Sequence, residues 1–265
     1  AVLAGRWTGT DGTSALQKAA DWCAAVVGCI ILSGETYLAH VAGRSANKLT
    51  TGEHFCMKWV GNGLLGDDFD PSETIGDNGD KNIHMFGVSD SESATETTVT
   101  ARKLFRLIDP KIQGVRQSHK FSRRQHCLRV MGYERVDISG GNVTWLSGNF
   151  SRSDFNGSWV QTRGYYNEIS SGIARSRYTP HFKFKDNICE NIHDDVVDPH
   201  AGASEIGNTE LPVRYDIQIT GNTFVKCKGI NVLGGVGTIV TNNTFHMCQG
   251  PVSVWARSSD ANEGQ

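Results

Sequence analysis

The sequence predicts an all-β protein, a single-stranded right-handed parallel β-helix with an N-terminal capping helix, and three observations support this fold class. The 265 residues include 30 glycines but only 6 prolines, and short β-branched runs alternate with Gly and Asn, as in RVDISGGNVTWLSGN (135–149). Three segments near the carboxyl end align with one another. A helical pattern precedes the first strand. We expect one domain over residues 1–265, with regular coils over 130–256.

The amino-terminal element is a predicted cap, a helix and the first strands over residues 11–40. Its helix begins with a Ser-x-x-Gln capping box at Ser14 and Gln17. Small and apolar side chains then follow one helical stripe, formed by Leu16, Ala19, Ala20 and Cys23. The strand CIIL and a Gly-Glu-Thr turn come next. Because the end of a stack of strands exposes unpaired backbone groups, we expect this helix to cover the first coil.

Residues 61–125 are predicted to form irregular loops. Two stretches are acidic or polar and one is basic: GDDFDPSETIGDNGDKN (66–82), SDSESATETTVT (89–100) and KIQGVRQSHKFSRRQH (111–126). Solvated surface loops are the simplest interpretation, because large apolar residues are few. Loops that rim a substrate groove, or that contact another subunit, are the functional alternatives.

A repeat in the last third of the chain is the strongest signal. FKDNICENIHDDVVD (184–198), ITGNTFVKCKGINVL (219–233) and VTNNTFHMCQGPVSV (240–254) align without gaps, and the last two copies are 21 residues apart. Such a period indicates units that bury apolar faces on their neighbours, as in a solenoid. A β-sandwich is the alternative, but it favours hairpins with two-residue turns, which are scarce here.

Three sets of aligned residues define the expected coil. Asn187, Asn222 and Asn243 suit a ladder at a turn that tolerates left-handed geometry. Two sets suit interior stacks: Cys189, Phe224 and Phe245, and Ile192, Cys227 and Cys248. The seven cysteines show no CxxC spacing, so neither a zinc site nor a disulfide framework is predicted.

Charge and hydropathy exclude two classes of partner. The 26 basic and 28 acidic residues nearly balance, which predicts no general attraction to nucleic acid or to an anionic membrane. No apolar stretch approaches the roughly 20 residues that span a bilayer, so no membrane insertion is expected. The opening AVLAGRWTGT is neither a secretory signal nor a Met start, as expected of a trimmed terminus, and the polar end SSDANEGQ suggests that more chain follows.

One segment, NICENIHDDVVDPHAG (187–202), gathers carboxylates and two histidines around a Val-Val pair. In the gap-free alignment Asp194 coincides with Gly229 at a turn, and Val197 coincides with Val232 in the interior. The valines are therefore expected to serve the core. The insertion AGASEIGNTELPV (201–213) lengthens this coil and is expected to wall a subsite beside the acidic cluster.

Strand alternation predicts where the polar side chains of this segment point. Val196 and Asp198 are directed outward, and His200 lies on the same side as Asp198 if the strand continues through the proline. His193 aligns with Lys228 one coil further on, so a basic residue is expected to stack beside it.

An outward group of carboxylates with a histidine has two catalytic uses. Asp194, Asp195 and Asp198 could supply the acid–base or acid–nucleophile pair of glycoside hydrolysis. Alternatively, His200 could move the C5 proton of a uronic acid while a charged partner holds the substrate carboxylate. A solvated turn and a Ca²⁺ site of oxygen ligands are the non-catalytic alternatives, and no other cofactor or metal is expected.

The amino-terminal pattern DGTSALQKAADWCAA…GCIILSGETYL resembles the opening of pectate-lyase-like β-helix proteins, above all phage tailspikes, over about 35 residues. More loosely, the resemblance extends to the Asn/Gly coils of residues 135–254. It implies a polysaccharide depolymerase that acts on a bacterial capsule, O-antigen or exopolysaccharide. It also implies a homotrimer located on a phage tail or secreted outside the cell.

A second resemblance concerns the acidic segment. VVDPHAG is similar to the Asp-Pro-His motif of mannuronan C5-epimerases and related alginate-active enzymes, which implies catalytic roles for Asp198 and His200. The chain departs from that motif, because Asp195 and Val196 replace its tyrosine and glycine, and Lys228 occupies the acidic position of the neighbouring coil. The aspartates also resemble the Asp-Asp pairs of polygalacturonase-like hydrolases.

We therefore expect a glycosidase that cleaves a bacterial surface polysaccharide, with a lyase or epimerase and a non-catalytic glycan-binding adhesin as alternatives. The expected catalytic residues are Asp194, Asp195, Asp198 and His200. The expected substrate-binding residues are His193, Trp159, Arg163, Arg175 and Lys228. Trp145, Tyr165 and Tyr166 are further aromatic candidates, although core packing explains aromatic residues equally simply.

Overall fold

The computed structural model describes residues 13–38, 49–67, 83–87, 102–114, 125–131, 133–145, 160–163, 165–168, 174–177, 181–192, 195–199, 216–233, 238–250 and 252–255. Within these residues, one α-helix is followed by β-strands, nearly all of them in parallel sheets. The predicted all-β class is therefore confirmed.

Helix α1 (Thr13–Val26) covers the beginning of the first strands. The predicted stripe is confirmed, since Leu16, Ala20 and Cys23 are buried and Ala19 packs against the same core. The helix begins at Thr13, so Ser14 of the predicted capping box lies in its first turn. Gln17 donates a hydrogen bond from Nε2 to Oδ1 of Asp21 at 2.8 Å, the spacing that places two side chains on one helix face.

The strands before residue 164 form four sets of three consecutive strands, here called units 1 to 4. Unit 1 contains β1 (Ile30–Leu32), β2 (Glu35–Leu38) and β3 (Leu49–Thr50), and unit 2 contains β4 (His54–Trp59), β5 (Leu64–Asp67) and β6 (Ile83–Gly87). Unit 3 contains β7 (Arg102–Ile108), β8 (Lys111–Gly114) and β9 (Gln125–Met131), and unit 4 contains β10 (Tyr133–Ser139), β11 (Asn142–Trp145) and β12 (Val160–Arg163).

An antiparallel hairpin of β13 (Tyr165–Glu168) and β14 (Ala174–Arg177) separates these units from units 5 to 7. Unit 5 contains β15 (His181–Lys185), β16 (Ile188–Glu190) and β17 (Asp195–Pro199). Unit 6 contains β18 (Asp216–Thr220), β19 (Thr223–Val225) and β20 (Gly229–Leu233), and unit 7 contains β21 (Ile239–Thr241), β22 (Thr244–His246) and β23 (Val252–Trp255).

Each unit contributes one strand to each of three seven-stranded sheets. The first sheet has the order β1-β4-β7-β10-β15-β18-β21, and the second has β2-β5-β8-β11-β16-β19-β22. The third sheet has β3-β6-β9-β12-β17-β20-β23. Every neighbouring pair in these sheets is parallel, so consecutive units lie about 4.8 Å apart.

Aligned apolar residues form columns through the stack, as the repeat predicted. In the second sheet Cys189 pairs with Phe224, which pairs with Phe245. Phe224 is fully buried, and its ring lies 5.0 Å from that of Phe245 and 6.5 Å from that of Phe184. Burying one such side chain contributes about 1.5–3 kcal/mol, so these columns account for much of the stabilisation of the stack.

The predicted asparagine ladder is confirmed between the first and second sheets. The backbone N–H of Asn187 donates to Oδ1 of Asn222 at 2.9 Å, and the backbone N–H of Asn222 donates to Oδ1 of Asn243 at 3.0 Å. Nδ2 of each asparagine donates to the Oδ1 of the next, at 3.0 and 2.9 Å. Asn187 and Asn222 are fully buried, so the ladder satisfies polar groups that water does not reach.

In units 3 to 7 the residue before the ladder position is left-handed, which confirms the expectation of a turn that tolerates this geometry. These residues form the left-handed column: Asp109, Gly140, Asp186, Gly221 and Asn242, with φ between 52° and 72°. A Cβ atom at Gly140 would collide with Oδ1 of Asp109, and one at Gly221 would collide with Oδ1 of Asp186. Glycine is therefore favoured at these two positions, because a larger residue would have to displace the aspartate carboxylate and adopt a left-handed φ.

The prediction of irregular loops over residues 61–125 is wrong where the structure describes this segment. Strands β5 to β8, and the start of β9, lie within it and belong to units 2 and 3. The regular units consequently begin at Ile30 and not near residue 130. Sequence inspection missed these strands because they are separated by long polar insertions, which dominate the composition of the segment.

The cysteines also require a correction. Cys29 and Cys56 form a disulfide between the start of unit 1 and strand β4. The next residues, Ile30 and Met57, are paired in the first sheet, so parallel pairing brings the two cysteines side by side. Their sequence separation of 27 residues gives no recognisable motif. Cys23, Cys189, Cys227 and Cys248 are free, as the interior-packing prediction requires for the last three.

Candidate functional site

Strand β17 carries the acidic segment and has an irregular register. Asp195 pairs with Gly229 of β20, but Val197 pairs with Ile230, so one extra residue lies on the β17 side. Val196 and Val197 are both fully buried. A regular strand would direct two consecutive side chains to opposite faces, so this arrangement is a β-bulge.

The bulge corrects three sequence predictions. Val196 was expected to point outward, and it is buried. Gly229 pairs with Asp195 and not with Asp194, and Val197 pairs with Ile230 and not with Val232. The gap-free alignment therefore holds for the first two strands of each unit and fails in the third. The interior contact is made by both valines, which an alternating pattern does not anticipate.

The preceding unit places polar residues beside the carboxyl end of β17. Asp198 pairs with Gln161 of β12, and Pro199 pairs with Thr162. Arg163, a predicted substrate-binding residue, is the last residue of β12, one position further along. Strand β17 continues through Pro199, although a prolyl residue ends most central strands. The prediction that His200 lies on the same side as Asp198 depended on this continuation.

The following unit places Lys228 beside the amino end of β17. Lys228 is exposed, and its backbone N–H donates to the carbonyl of Ile192 at 3.0 Å. The next residue, Gly229, pairs with Asp195. The register therefore brings Lys228, Asp195 and Asp198 within one short stretch of two adjacent units, which we call the β17 site.

Other predicted site residues cannot be assigned to the β17 site. His193, Asp194, His200 and Trp159 lie outside the described residues. Arg175 lies in β14, where it pairs with Asn167 of β13. The sequence patterns did not predict this hairpin, which also contains Tyr165 and Tyr166.

Burial makes the thiol beneath the β17 site inert. Cys227 is fully buried, and its Sγ lies 3.2 Å from the carbonyl oxygens of Cys189 and Val225. Desolvation raises the pKa of Cys227 to about 12, so the nucleophilic thiolate does not form near neutral pH. This agrees with the prediction of interior packing.

A charged network on the outer face of the first sheet was missed by sequence analysis. Nη2 of Arg106 donates to Asp137 at 2.9 Å, and Nε of Arg135 donates to both oxygens of the same carboxylate at 3.0 and 2.8 Å. Hydrogen bonding to Asp137 raises the pKa of Arg135. The register of the first sheet brings the network together, because Asp137 of β10 pairs with Arg106 of β7. Because the charges pair with one another, we assign this network to strand registration.

The described residues form neither a metal-binding cluster nor a membrane-spanning helix. No group of three or more His, Cys, Asp or Glu side chains among them is arranged to hold a metal ion. The helix in this part of the chain is too short and too polar to cross a bilayer.

Comparison with known proteins found no matching family model, no similar curated protein and no similar solved structure.

Proposed function

We propose that the chain forms a single right-handed parallel β-helix capped by α1. The support is the topology of units 1 to 7, each of which contributes one strand to each of three parallel sheets. Connections between parallel strands of one sheet are right-handed in about 98% of cases, which favours this hand. Resemblance of the amino-terminal pattern to tailspike proteins points to the same architecture.

On this framework we propose that the protein is a tailspike-like depolymerase that hydrolyses a bacterial surface polysaccharide at the β17 site. One observation carries the proposal: a β-bulge buries two adjacent valines, and Asp195 and Asp198 flank them. Bulges occur often beside active sites, where they re-aim side chains. A bulge that only served packing would not need a carboxylate on each side.

The spacing of the two aspartates is compatible with glycoside hydrolysis. Three residues of extended strand separate their Cα atoms by roughly 10 Å at most, and the bulge shortens this distance. This limit accommodates both known arrangements, carboxyl groups roughly 5–5.5 Å apart in a retaining hydrolase and roughly 6.5–9.5 Å apart in an inverting one. In this proposal Asp198 serves as one member of the pair and Asp195 as the other, while Asp194 is the reserve candidate.

A lyase or C5-epimerase that acts on uronic acids is the second candidate, and one observation favours it. Strand β17 extends through Pro199, the residue that separates Asp198 from His200 in the sequence, so the strand pairing continues past Asp198. In this version His200 moves the C5 proton, and Lys228, Arg163 and His193 hold the carboxylates of the substrate.

The proposed setting is extracellular, on a phage tail or as a secreted protein, and the proposed assembly is a homotrimer. The Cys29–Cys56 disulfide supports the setting, because disulfides persist mainly in oxidising environments. The resemblance to tailspikes is the only support for the trimer, and light scattering of the purified protein would test it directly.

The test is incubation with capsular polysaccharide, O-antigen and exopolysaccharide, with assays for new reducing ends and for the ultraviolet absorbance of a conjugated double bond. Hydrolysis gives reducing ends alone, and a lyase gives both signals. Binding without either product would overturn the enzymatic proposal and leave an adhesin. Epimerisation would appear as a changed uronic acid composition without cleavage.

Two variants identify the mechanism, and a third is the control. For a hydrolase we predict that Asp198→Asn lowers turnover by at least ~10²-fold while glycan binding is retained, with a milder effect of His200→Ala. For a lyase or epimerase, His200→Ala is the disabling change. Asp216→Asn is the matched control, because Asp216 lies on the first sheet, in an ion pair of 3.7 Å with His181. Full activity of both site variants would move the catalytic centre elsewhere.

A further inference from the structure

The Cys29–Cys56 disulfide lies on the outer surface of the stack. Strand β4 alternates between outward and buried residues, and Phe55 and Met57 are buried, so Cys56 between them points outward. Cys29 is exposed and directly precedes β1. An external thiol can therefore reach this bond without unfolding of the core.

Basic side chains surround one of the two sulfur atoms. His54 and Lys58 are the outward residues before and after Cys56 on β4. Arg106 is the residue of β7 that pairs with Cys56. Lys58 forms no ion pair with any residue in the described part of the chain. Because positive charge stabilises a neighbouring thiolate, Cys56 is placed to carry the negative charge when the bond opens.

Two carboxylates lie near this position in the sheet, and both are engaged. Asp137 pairs with Arg106 in the register and is shared by Arg106 and Arg135, so this group of three side chains keeps a net positive charge. Glu53 precedes β4, and its carboxylate lies 4.0 Å from Nε2 of His54. The charges that face Cys56 therefore favour an anion.

The other sulfur atom has a different environment. Residues 26–30, VVGCI, carry no charged side chain around Cys29. A thiolate at Cys29 consequently lacks the stabilisation available to Cys56. In thiol–disulfide exchange, the sulfur that leaves best is the one with the more stable thiolate. The two ends of the bond are therefore unequal, with Cys29 open to attack and Cys56 suited to leave.

We propose that the Cys29–Cys56 bond is a thiol–disulfide exchange site for an external monothiol. The thiolate of the monothiol attacks Sγ of Cys29, the bond between the two Sγ atoms breaks, and its electron pair goes to Sγ of Cys56. The product is a mixed disulfide on Cys29 and a thiolate on Cys56. A second monothiol thiolate then attacks the monothiol sulfur of the mixed disulfide. This step forms the oxidised monothiol and leaves Cys29 as a thiolate, so the protein gains two electrons.

Mass spectrometry of the intact, folded protein tests the proposal. Accessible free thiols, such as that of the half-buried Cys248, are first blocked with N-ethylmaleimide. The protein is then treated with glutathione, and newly formed thiols are trapped with iodoacetamide. We expect glutathione on Cys29 and iodoacetamide on Cys56, while Cys189 and Cys227 stay unmodified because they are buried.

A charge reversal beside Cys56 tests the origin of this selectivity. Lys58→Glu should slow the opening of the bond by glutathione about three- to tenfold, because the leaving thiolate then faces a carboxylate. It should also raise the share of glutathione found on Cys56. Lys18→Glu is the matched control, since Lys18 is exposed on α1 and the change in charge is the same. High salt should narrow the difference between the two variants, because it screens exposed charges.

Three outcomes would overturn the proposal. They are glutathione mainly on Cys56 of the original protein, equal rates for Lys58→Glu and Lys18→Glu, and a reaction that occurs only when urea unfolds the chain. A slower reaction of Lys58→Glu cannot be attributed to a loss of stability, because unfolding would expose the bond and speed the reaction. The selectivity for Cys29 also separates this site from a disulfide that only cross-links two strands.

Discussion

Asn222 is the best point at which to test the stacking of units, because its buried side chain has a partner for every hydrogen-bonding group. Its Oδ1 accepts from the backbone N–H and Nδ2 of Asn187 at 2.9 and 3.0 Å. Its Nδ2 donates to the carbonyl of Phe184 at 3.0 Å and to Oδ1 of Asn243 at 2.9 Å. We predict that Asn222→Ala lowers the free energy of unfolding by about 4 kcal/mol.

The magnitude follows from the groups that the substitution leaves without partners. Two donors of Asn187 lose their acceptor in the buried ladder, at about 1–3 kcal/mol each, which gives about 2–6 kcal/mol in total. The carbonyl of Phe184 adds less, because carbonyl groups tolerate a missing partner better than N–H groups. Water reaches the partly exposed Asn243, so its contribution is small. The middle of the range is about 4 kcal/mol.

Urea denaturation followed by circular dichroism measures this loss. Asn142→Ala is the matched control, because Asn142 is exposed at the start of a strand in the second sheet and the change should cost less than about 0.5 kcal/mol. Equal shifts for Asn222→Ala and Asn142→Ala would show that the ladder does not stabilise the stack.

The substitution Asn222→Asp adds a dependence on pH. A carboxylate at this position would face the carbonyl of Phe184 and Oδ1 of Asn243, so the neutral acid is favoured and its pKa in the folded chain rises. The variant should be most stable below about pH 3.9, the ordinary pKa of aspartate, and should lose stability as the pH rises through the raised pKa. A variant that gained stability with rising pH would contradict this environment.

Three further predictions concern buried and cross-linked residues. The Cys29–Cys56 disulfide closes a loop of 27 residues, so replacing both cysteines with serine should lower the free energy of unfolding by about 3.5 kcal/mol. The urea midpoint should fall accordingly, and an unchanged midpoint would exclude the bond. Phe224→Ala should cost about 3–5 kcal/mol in the same assay, and a loss below about 1 kcal/mol would contradict its packing. Burial raises the pKa of Cys227 from 9.0 to about 12, so its contribution to stability is complete below pH 9.0 and is lost as the pH rises toward about 12. In Cys227→Ala the free energy of unfolding should therefore decline less over this range. Parallel pH curves for the variant and the original protein would refute this prediction.

The sequence was sufficient for the parts of the fold in which one residue type recurs at a fixed place. The ladder asparagines and the column through Phe224 were predicted because each unit repeats the same side chain at the same offset. The helical stripe through Leu16 and Ala20 was predicted because its period is local. Both signals need only the neighbouring sequence or a simple self-alignment.

Features that depend on pairing between distant segments were missed. The strands of units 2 and 3 lie between long polar insertions, so no repeat relates them to the later units. The pairing of Cys29 with Cys56 follows from strand register, which a sequence pattern does not display. For the same reason, the approach of Arg106 to Asp137 was invisible before the sheets were assembled.

The candidate site was predicted only in part. The alignment correctly brought Lys228 close to the acidic segment, because that part of the repeat has no insertion. It failed two residues later, where the bulge places both Val196 and Val197 in the interior. A bulge changes the parity of a strand, so every outward or inward assignment after it requires the structure.

In units 3 to 6 the left-handed column alternates between aspartate and glycine, which makes odd and even units unequal. The carboxylates of Asp109 and Asp186 occupy the space where Gly140 and Gly221, in the following units, would otherwise carry a Cβ atom. Removing unit 4 would bring Asp109 and Asp186 into consecutive rungs, and removing unit 5 would bring Gly140 and Gly221 together. Removing both units would keep aspartate followed by glycine. Within units 3 to 6 the smallest interchangeable segment is therefore two units long, and changes in length there are expected to be tolerated in even steps.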